Sequence, residues 1–442
     1  MSQTQSVLPV SGADAPVLVT AQPQPKSAQA MVLSGSLIMI ISMMLVNIFN
    51  FAYNIVMARV LGPGEFGHIN AAVTLLLIFS CVSLAFQLVC TKFVARNESA
   101  GARSAVVHTL LSKAWIASLA IAAVLFIAQK PIAAYLNLPS PWMMGLLALG
   151  IAAYAPLGVK RGAMQGVCAF PRLGGNFVLE AFTRLVVGAG LVYAGYGVLG
   201  ATGAISAAVI MAYFLPRIPT TLRIKADSTI VDPPSFAEAV QAIVFFVGQV
   251  IINNVDILLV KHFFPAEPAG VYAAISQIGR VLYFASWFGV VNAMFPIAAA
   301  ANKEATETRK AHGVGLPMLL VLGLSVLFVA IAALFPHLIM SLIFGSKFTD
   351  IGPLLALYAV ATGLYSLSVV LIAYEMSRRI ANTGWLQLAF SGALIIAIGI
   401  FHSTVREVIM VRIVLMALML GMVAVPFLRK HSQKSPVLAE VA

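Results

Sequence analysis

Charge is what this sequence has least of. Only 10% of its 442 residues are Asp, Glu, Lys or Arg, where an ordinary soluble domain has roughly 25%. With 61% hydrophobic residues, the chain does not form a soluble globular fold. Cysteine is scarce as well. Cys81, Cys90 and Cys168 fall in or beside apolar runs without paired spacing, which indicates neither a disulfide framework nor a zinc knuckle. Residues 1–30 are rich in Gln, Pro, Ser and Ala and hold one base, Lys26. They lack the basic-then-apolar order of a cleaved signal peptide, so a disordered tail is expected.

Catalytic signatures are missing too. No H-E-x-x-H, G-x-x-x-x-G-K-S/T or G-x-S-x-G pattern occurs, and the histidines show no ligand spacing. The run Gly195-Tyr196-Gly197-Val198-Leu199-Gly200 satisfies G-x-G-x-x-G. It stands between two apolar helices with no preceding strand, however, and reads as a tight turn with close helix packing. The outer loops are short, which argues against a polytopic glycosyltransferase, ligase or polymerase. No enzyme activity, metal or cofactor is expected.

What is present is a series of apolar runs bounded by Gly, Pro or charge, each near the ~20 residues needed to cross a bilayer as helix. They predict twelve helices, near 32–58, 70–95, 106–128, 142–160, 174–194, 198–216, 238–260, 270–295, 313–335, 352–374, 383–401 and 406–428. The expected fold is an all-α polytopic membrane protein. Of the 27 Lys and Arg, Arg184, Arg280 and Arg412 fall inside spans, and Arg59, Lys130, Lys261, Lys347 and Arg406 fall on one side. The remaining nineteen, Lys92, Arg96, Lys160 and Arg161 among them, fall on the side of the termini. This bias places both termini in the cytoplasm. It accounts for most of the +12 net charge without nucleic acid.

The longest link carries Asp232-Pro233-Pro234 and divides six helices from six. The expected organisation is a tail over 1–30, a bundle over 31–219, a cytoplasmic linker over 220–236, a second bundle over 237–428 and a tail over 429–442. A shift of 202 residues places Asn47 on Gln249, Asn54 on Asp256 and Arg59 on Lys261, with Gly67 near Gly270 after a one-residue insertion. Repeats of like topology imply a pseudo-two-fold axis along the membrane normal and a central cleft.

Polar side chains inside the spans are costly and mark protein- or water-facing surfaces. In the seventh span Gln249, Asn253 and Asp256 share one helical face. In the eighth, Tyr272, Ser276, Arg280, Tyr283 and Trp287 do the same. The first span has Asn47, Asn50 and Asn54 on one face, and the fifth has Glu180 and Arg184 one turn apart. Two readings stand for each. Glu180 and Arg184 form a self-satisfying intrahelical pair or belong to a site. Arg280 pairs with an acid on another helix, such as Asp256, or binds an anion. The Asn and Gln side chains tie helices together or line a cavity. Asp256 pairs with Lys261 or Arg280, or titrates and binds an ion. Arg412 reads as a snorkelling side chain or a secondary candidate. Trp115, Trp142, Trp287 and Trp385 read as interface anchors or packing.

The run Asn54-Ile55-Val56-Met57-Ala58-Arg59-Val60-Leu61-Gly62-Pro63-Gly64-Glu65-Phe66-Gly67 resembles the opening signature of Wzx-type polysaccharide flippases in the multidrug/oligosaccharidyl-lipid/polysaccharide exporter superfamily. Phe93-Val94-Ala95-Arg96, Arg161-Gly162-Ala163-Met164-Gln165-Gly166, Tyr196-Gly197-Val198-Leu199-Gly200-Ala201, Asp256-Ile257-Leu258-Leu259-Val260 and Gly270-Val271-Tyr272 add to the likeness, which covers roughly residues 32–428. The resemblance implies a V of two six-helix bundles in a bacterial inner membrane. It implies transfer of a polyprenyl-diphosphate-linked oligosaccharide between leaflets by ion-driven alternating access. Arg184, Arg280, Asn47, Asn54, Gln249, Asn253 and Tyr283 would then bind substrate, and Asp256 and Glu180 would couple ions. Implied partners are the lipid-linked oligosaccharide, membrane lipids and polysaccharide polymerase or export proteins. Tyr53-Asn54 replace a basic residue typical of the peptidoglycan-precursor branch, and no further helix pair follows residue 428, which argues against lipid II as cargo. A drug antiporter using Glu180 or Asp256, and a non-transporting scaffold for polysaccharide synthesis, are the alternatives.

Overall fold

The computed structural model describes residues 28–215, 236–286, 307–348, 353–377 and 383–432. Trp287 and the linker expected at 220–236, except Phe236, lie outside them. Among the described residues the chain is helical and has no strand. The first half contains α1 (Ala28–Leu61), α2 (Pro63–Arg96), α3 (Ala100–Ile127), a short α4 (Gln129–Tyr135), α5 (Trp142–Gly166), α6 (Phe170–Leu191) and α7 (Gly197–Phe214). The second contains α8 (Phe236–Phe263), α9 (Ala266–Ser286), α10 (Glu307–Leu334), a short α11 (Pro336–Ile343), α12 (Leu354–Ser377), α13 (Thr383–Ile400) and α14 (Val405–Ser432). Each of the twelve expected spans has a helix. Windows long and apolar enough to cross a bilayer occur in α1, α2, α3, α5, α10, α12 and α14, and one more runs through α6 and α7. The chain is a multi-pass membrane protein.

Several helices run past the apolar stretches that announce them, because a helix does not end where its hydrophobicity does. α2 begins at Pro63, behind the turn at Gly62, whose φ of 82° suits glycine. α5 continues to Gly166. Arg161, expected outside the membrane on the basic side, therefore stands inside α5 with 4% of its surface exposed. The short α4 and α11 were not expected. Each follows the third long helix of its half and is too brief to show as an apolar run; Pro131 and Pro336 are the traces they leave in the sequence.

The two halves repeat the same packing. α1 packs on α6, α2 on α5, α3 on α5, α5 on α7 and α6 on α7. In the second half α8 packs on α13, α9 on α12, α10 on α12, α12 on α14 and α13 on α14. These are the same five pairings in the same order, as an internal repeat requires. In the first half, close approach comes from small residues. Gly158, Gly162 and Gly166 on α5 face Ser83, Gln87 and Thr91–Val94 of α2, so closely that a Cβ on Gly158 would stand 2.2 Å from the Ser83 carbonyl oxygen and one on Gly162 2.4 Å from that of Gln87. Four-residue spacing lays such glycines along one face. The G-x-G-x-x-G run is the tight turn it was expected to be. Gly195 and Gly197 take φ of 91° and 49°, and a Cβ on Gly200 would meet Tyr196 and Leu191 at 2.8 and 2.9 Å.

The halves meet through α2, which packs on both α8 and α9. The repeat-related Gly67 and Gly270 touch each other there, with 3.1 Å from an added Gly67 Cβ to the Gly270 Cα. This is where a pseudo-two-fold axis brings equivalent positions together. On the side carrying the α1–α2 and α8–α9 corners, here called distal, the contact is reciprocal. Arg59 donates Nε to the Ile343 carbonyl at 3.0 Å and Nη2 to that of Leu342, capping the end of α11. Its repeat mate Lys261 donates Nζ to the Asn137 carbonyl at 3.3 Å, just past α4. Asn137 returns a bond from Nδ2 to the His262 carbonyl at 2.9 Å, and His262 stacks on Tyr135 with ring centroids 3.8 Å apart. Gln277 Nε2 donates to Asn70 Oδ1 at 2.8 Å deeper in the same seam.

Candidate functional site

Polar groups within a span must find partners inside the protein, and in each half they converge on one carboxylate. In the first half it is Glu180 of α6. Its Oε2 takes Arg161 Nη2 from α5 at 2.6 Å, and its Oε1 takes Arg184 Nη2, one turn along α6, at 2.8 Å. Arg161 also donates Nε to Asn176 Oδ1 at 2.6 Å and lies over the Phe177 ring, while Asn176 donates to the Ala212 carbonyl of α7 at 2.7 Å. Arg184 donates Nη1 to Asn50 Oδ1 of α1 at 3.2 Å. Its Nε has no partner among the described residues. The intrahelical pair is thus real, and it is half of a three-residue cluster joining α5 and α6.

In the second half the carboxylate is Asp256 of α8, fully buried. Its Oδ2 accepts Tyr272 Oη at 2.6 Å, Tyr358 Oη at 3.2 Å and the Arg412 Nη1. Arg412 lies over the Tyr358 ring. The counter-ion of Asp256 is therefore Arg412, neither Lys261 nor Arg280, and Arg412 does not snorkel. A residue in the last span closes on one in the seventh because α14 packs on α12 and touches α8, which spacing along the chain does not disclose. Among the described residues Arg280 is left with one hydrogen bond, Nη2 to the Asn253 carbonyl at 3.3 Å, and an unpartnered Nε. A guanidinium has five N–H donors, so most of those on Arg280 remain available among the described residues.

Beside this cluster runs a neutral network. Gln249 Nε2 donates to Tyr283 Oη at 2.9 Å, Gln387 Nε2 of α13 donates to Gln249 Oε1 at 2.7 Å, and Asn253 Nδ2 donates to Tyr365 Oη of α12 at 2.9 Å. Gln249, Asn253 and Tyr283 are thus brought together in one network, where they tie α8, α9, α12 and α13. Asn47 and Asn54 are not. Their Nδ2 atoms donate to their own helix, at the carbonyls of Met43 and Asn50, both at 2.9 Å, and it is Asn50 that reaches the first cluster. Arg161, Asn176, Tyr358, Tyr365 and Gln387 were not foreseen as members. The stripe Tyr358, Thr362, Tyr365 in α12, spaced four and three apart, was a signal that could have found two of them. Trp142 and Trp385 are 63% and 60% exposed, as interface anchors are, and Trp115 packs edge-on against Tyr213.

A family model described as a polysaccharide biosynthesis protein matches residues 56–353. No curated protein matches the chain. Among solved structures, a lipid II flippase, MurJ, in an inward closed conformation superposes with a TM-score of 0.74 at 13% identity, covering 89% of this chain and 87% of that one. An inward-facing multidrug resistance transporter of the MATE family, in the MOP superfamily, gives a TM-score of 0.66 at 15% identity, covering 90% and 96%. The MATE multidrug transporter DinF-BH gives 0.62 at 14% identity, covering 91% and 96%. At such identities the likeness establishes the fold, a V-type arrangement of two helical bundles, on which quite different cargoes are carried.

Proposed function

The chain belongs to the polysaccharide biosynthesis protein family, and from that premise we propose that it is a flippase moving a polyprenyl-diphosphate-linked oligosaccharide from the cytoplasmic to the periplasmic leaflet of a bacterial inner membrane. The observation that carries this reading is Arg280, a guanidinium within a span with one carbonyl contact and no carboxylate partner among the described residues. A charge so placed costs at least ~2.5 kcal/mol, and an anionic cargo offsets that cost each time it binds. Planar guanidinium donors match phosphate oxygens in pairs, so Arg280 and Arg184 engage the diphosphate. Gln249, Asn253 and Tyr283 hydrogen-bond sugar hydroxyls, and the polyprenyl tail stays in lipid. The bundles are residues 31–219 and 237–428, with 220–236 linking them in the cytoplasm.

By the charge bias of the loops the distal side faces the periplasm. The reciprocal contacts of Arg59 and Lys261 then close that side, and the state described is one that receives cargo from the cytoplasm. Exchange of partners around Glu180 and Asp256 couples the rocking of the halves to an ion gradient, the unpartnered Asp256 Oδ1 being the first acceptor. No covalent step is involved. A cation antiporter fits less well, because both carboxylates already hold guanidinium groups and neither offers a bare charge to an organic cation.

Replacing Arg280 by Ala abolishes surface polysaccharide export while the protein stays at its normal level in the membrane; normal export would remove Arg280 from the site. Liposomes reconstituted with the chain and a labelled polyprenyl-diphosphate sugar show transfer between leaflets. Cation uptake without lipid transfer would instead establish the antiporter.

A further inference from the structure

Each half places two guanidinium groups near one carboxylate: Arg161 and Arg184 both bond Glu180, whereas Arg412 bonds Asp256 and Arg280 bonds the Asn253 carbonyl, one turn before Asp256 on α8. Counting two positive charges and one negative in each cluster, each cluster keeps a single positive charge. The arginines within a half are not alike. Arg161 and Arg412 are the sealed ones, their side chains 5% and 3% exposed, and each lies over an aromatic ring. Arg184 is 12% exposed, and Arg280 is less buried than Arg412. In both halves one arginine is sealed on the acid and one is less enclosed, although different helices supply them, the acid coming from the fifth span in one half and from the seventh in the other.

Resting on the flippase reading above, we propose that Arg161 and Arg412 are positioning residues that never meet the cargo. Each neutralises its half's carboxylate so that the cluster of Arg184, which shares Glu180, and the cluster of Arg280 each present one net positive charge. A diphosphate diester carries one negative charge on each phosphorus at neutral pH, so the two halves together balance that head. A monophosphate diester, with one negative charge, leaves a buried guanidinium unmatched, which is unfavourable in a low-dielectric cleft. The clusters therefore select the diphosphate-linked cargo over a phosphate-linked one.

The test separates charge balance from mere support of the fold. Full-length protein in detergent is titrated with a fluorescent polyprenyl-diphosphate N-acetylglucosamine and with the matching polyprenyl-phosphate N-acetylglucosamine. Arg161→Gln and Arg412→Gln each lower the affinity for the diphosphate lipid by roughly tenfold, the scale of one lost charged contact, and shrink its preference over the monophosphate lipid. The charge-restoring pairs Arg161→Gln with Glu180→Gln, and Arg412→Gln with Asp256→Asn, recover both affinity and preference. Pairs that bind no better than the single variants overturn the proposal and leave the flippase reading intact, whereas wild-type protein that binds neither lipid overturns both. Should a single variant fail to fold, Glu180→Gln replaces it. With the acid neutralised, binding of the monophosphate lipid tightens, and unchanged preference overturns the proposal.

Discussion

At the scale of single residues, the behaviour of Asp256 shows how an apolar environment sets the worth of a charge. Its Oδ2 gathers two tyrosine hydroxyls and a guanidinium, and Arg412 has no other acid among the described residues. Removing the carboxylate with Asp256→Asn leaves Arg412 buried and uncompensated, a loss of about 3–5 kcal/mol. Tyr272→Phe deletes one hydroxyl donor to the carboxylate and costs about 1.5–3 kcal/mol. Thermal unfolding of the detergent-solubilised protein orders the two variants in that sequence. Equal midpoints would mean that the ion pair contributes nothing to the fold.

At the scale of elements, the pairing of α5 with α2 depends on what is missing from α5. Gly158, Gly162 and Gly166 present bare backbone to the carbonyl groups of α2, and the association of helices in lipid relies on such packing because no hydrophobic gain is available between them. Gly162→Val places a Cβ 2.4 Å from the Gln87 carbonyl carbon's oxygen. The helices must then separate, and the Gln87–Gln165 bond at 3.0 Å is lost with them. Gly175→Val on α6 meets nothing within 4 Å. In membrane preparations the first variant is expected to fall to a small fraction of the wild-type amount of folded protein, measured by fluorescence-detected size exclusion, and the second to remain near it.

At the scale of the whole molecule, two basic residues at equivalent positions in the repeat perform the same task in opposite directions. Arg59 of the first half holds the end of α11, and Lys261 of the second half holds the chain after α4. Neither bond joins parts of the same half, so both must break when the distal side opens. The double variant Arg59→Ala with Lys261→Ala shifts the population toward the distally open state. With the native cysteines replaced, Ala71→Cys, packed against Leu258 of the other half, is labelled several-fold faster by a membrane-impermeant maleimide in the double variant than in its parent. Unchanged labelling would show that α2 alone holds the seam.

The all-helical fold, its membrane character and the repeat between halves are all written in the sequence, because hydrophobic run length and charge placement are one-dimensional properties of the chain. So was the pairing of Glu180 with Arg184, which needs only the pitch of a helix, and the turn at Gly195–Gly200. The partner of Asp256 was not. Arg412 stands 156 residues away, and only the packing of α14 beside α12 and α8 brings it near. Arg161 was hidden for a related reason: the apolar run in α5 ends before the helix does, so a buried arginine looked like a loop residue. Side chains on a transmembrane helix must face something, and a sequence reveals which face is polar. What that face meets, and hence which charges cancel and which remain, is decided when the helices pack.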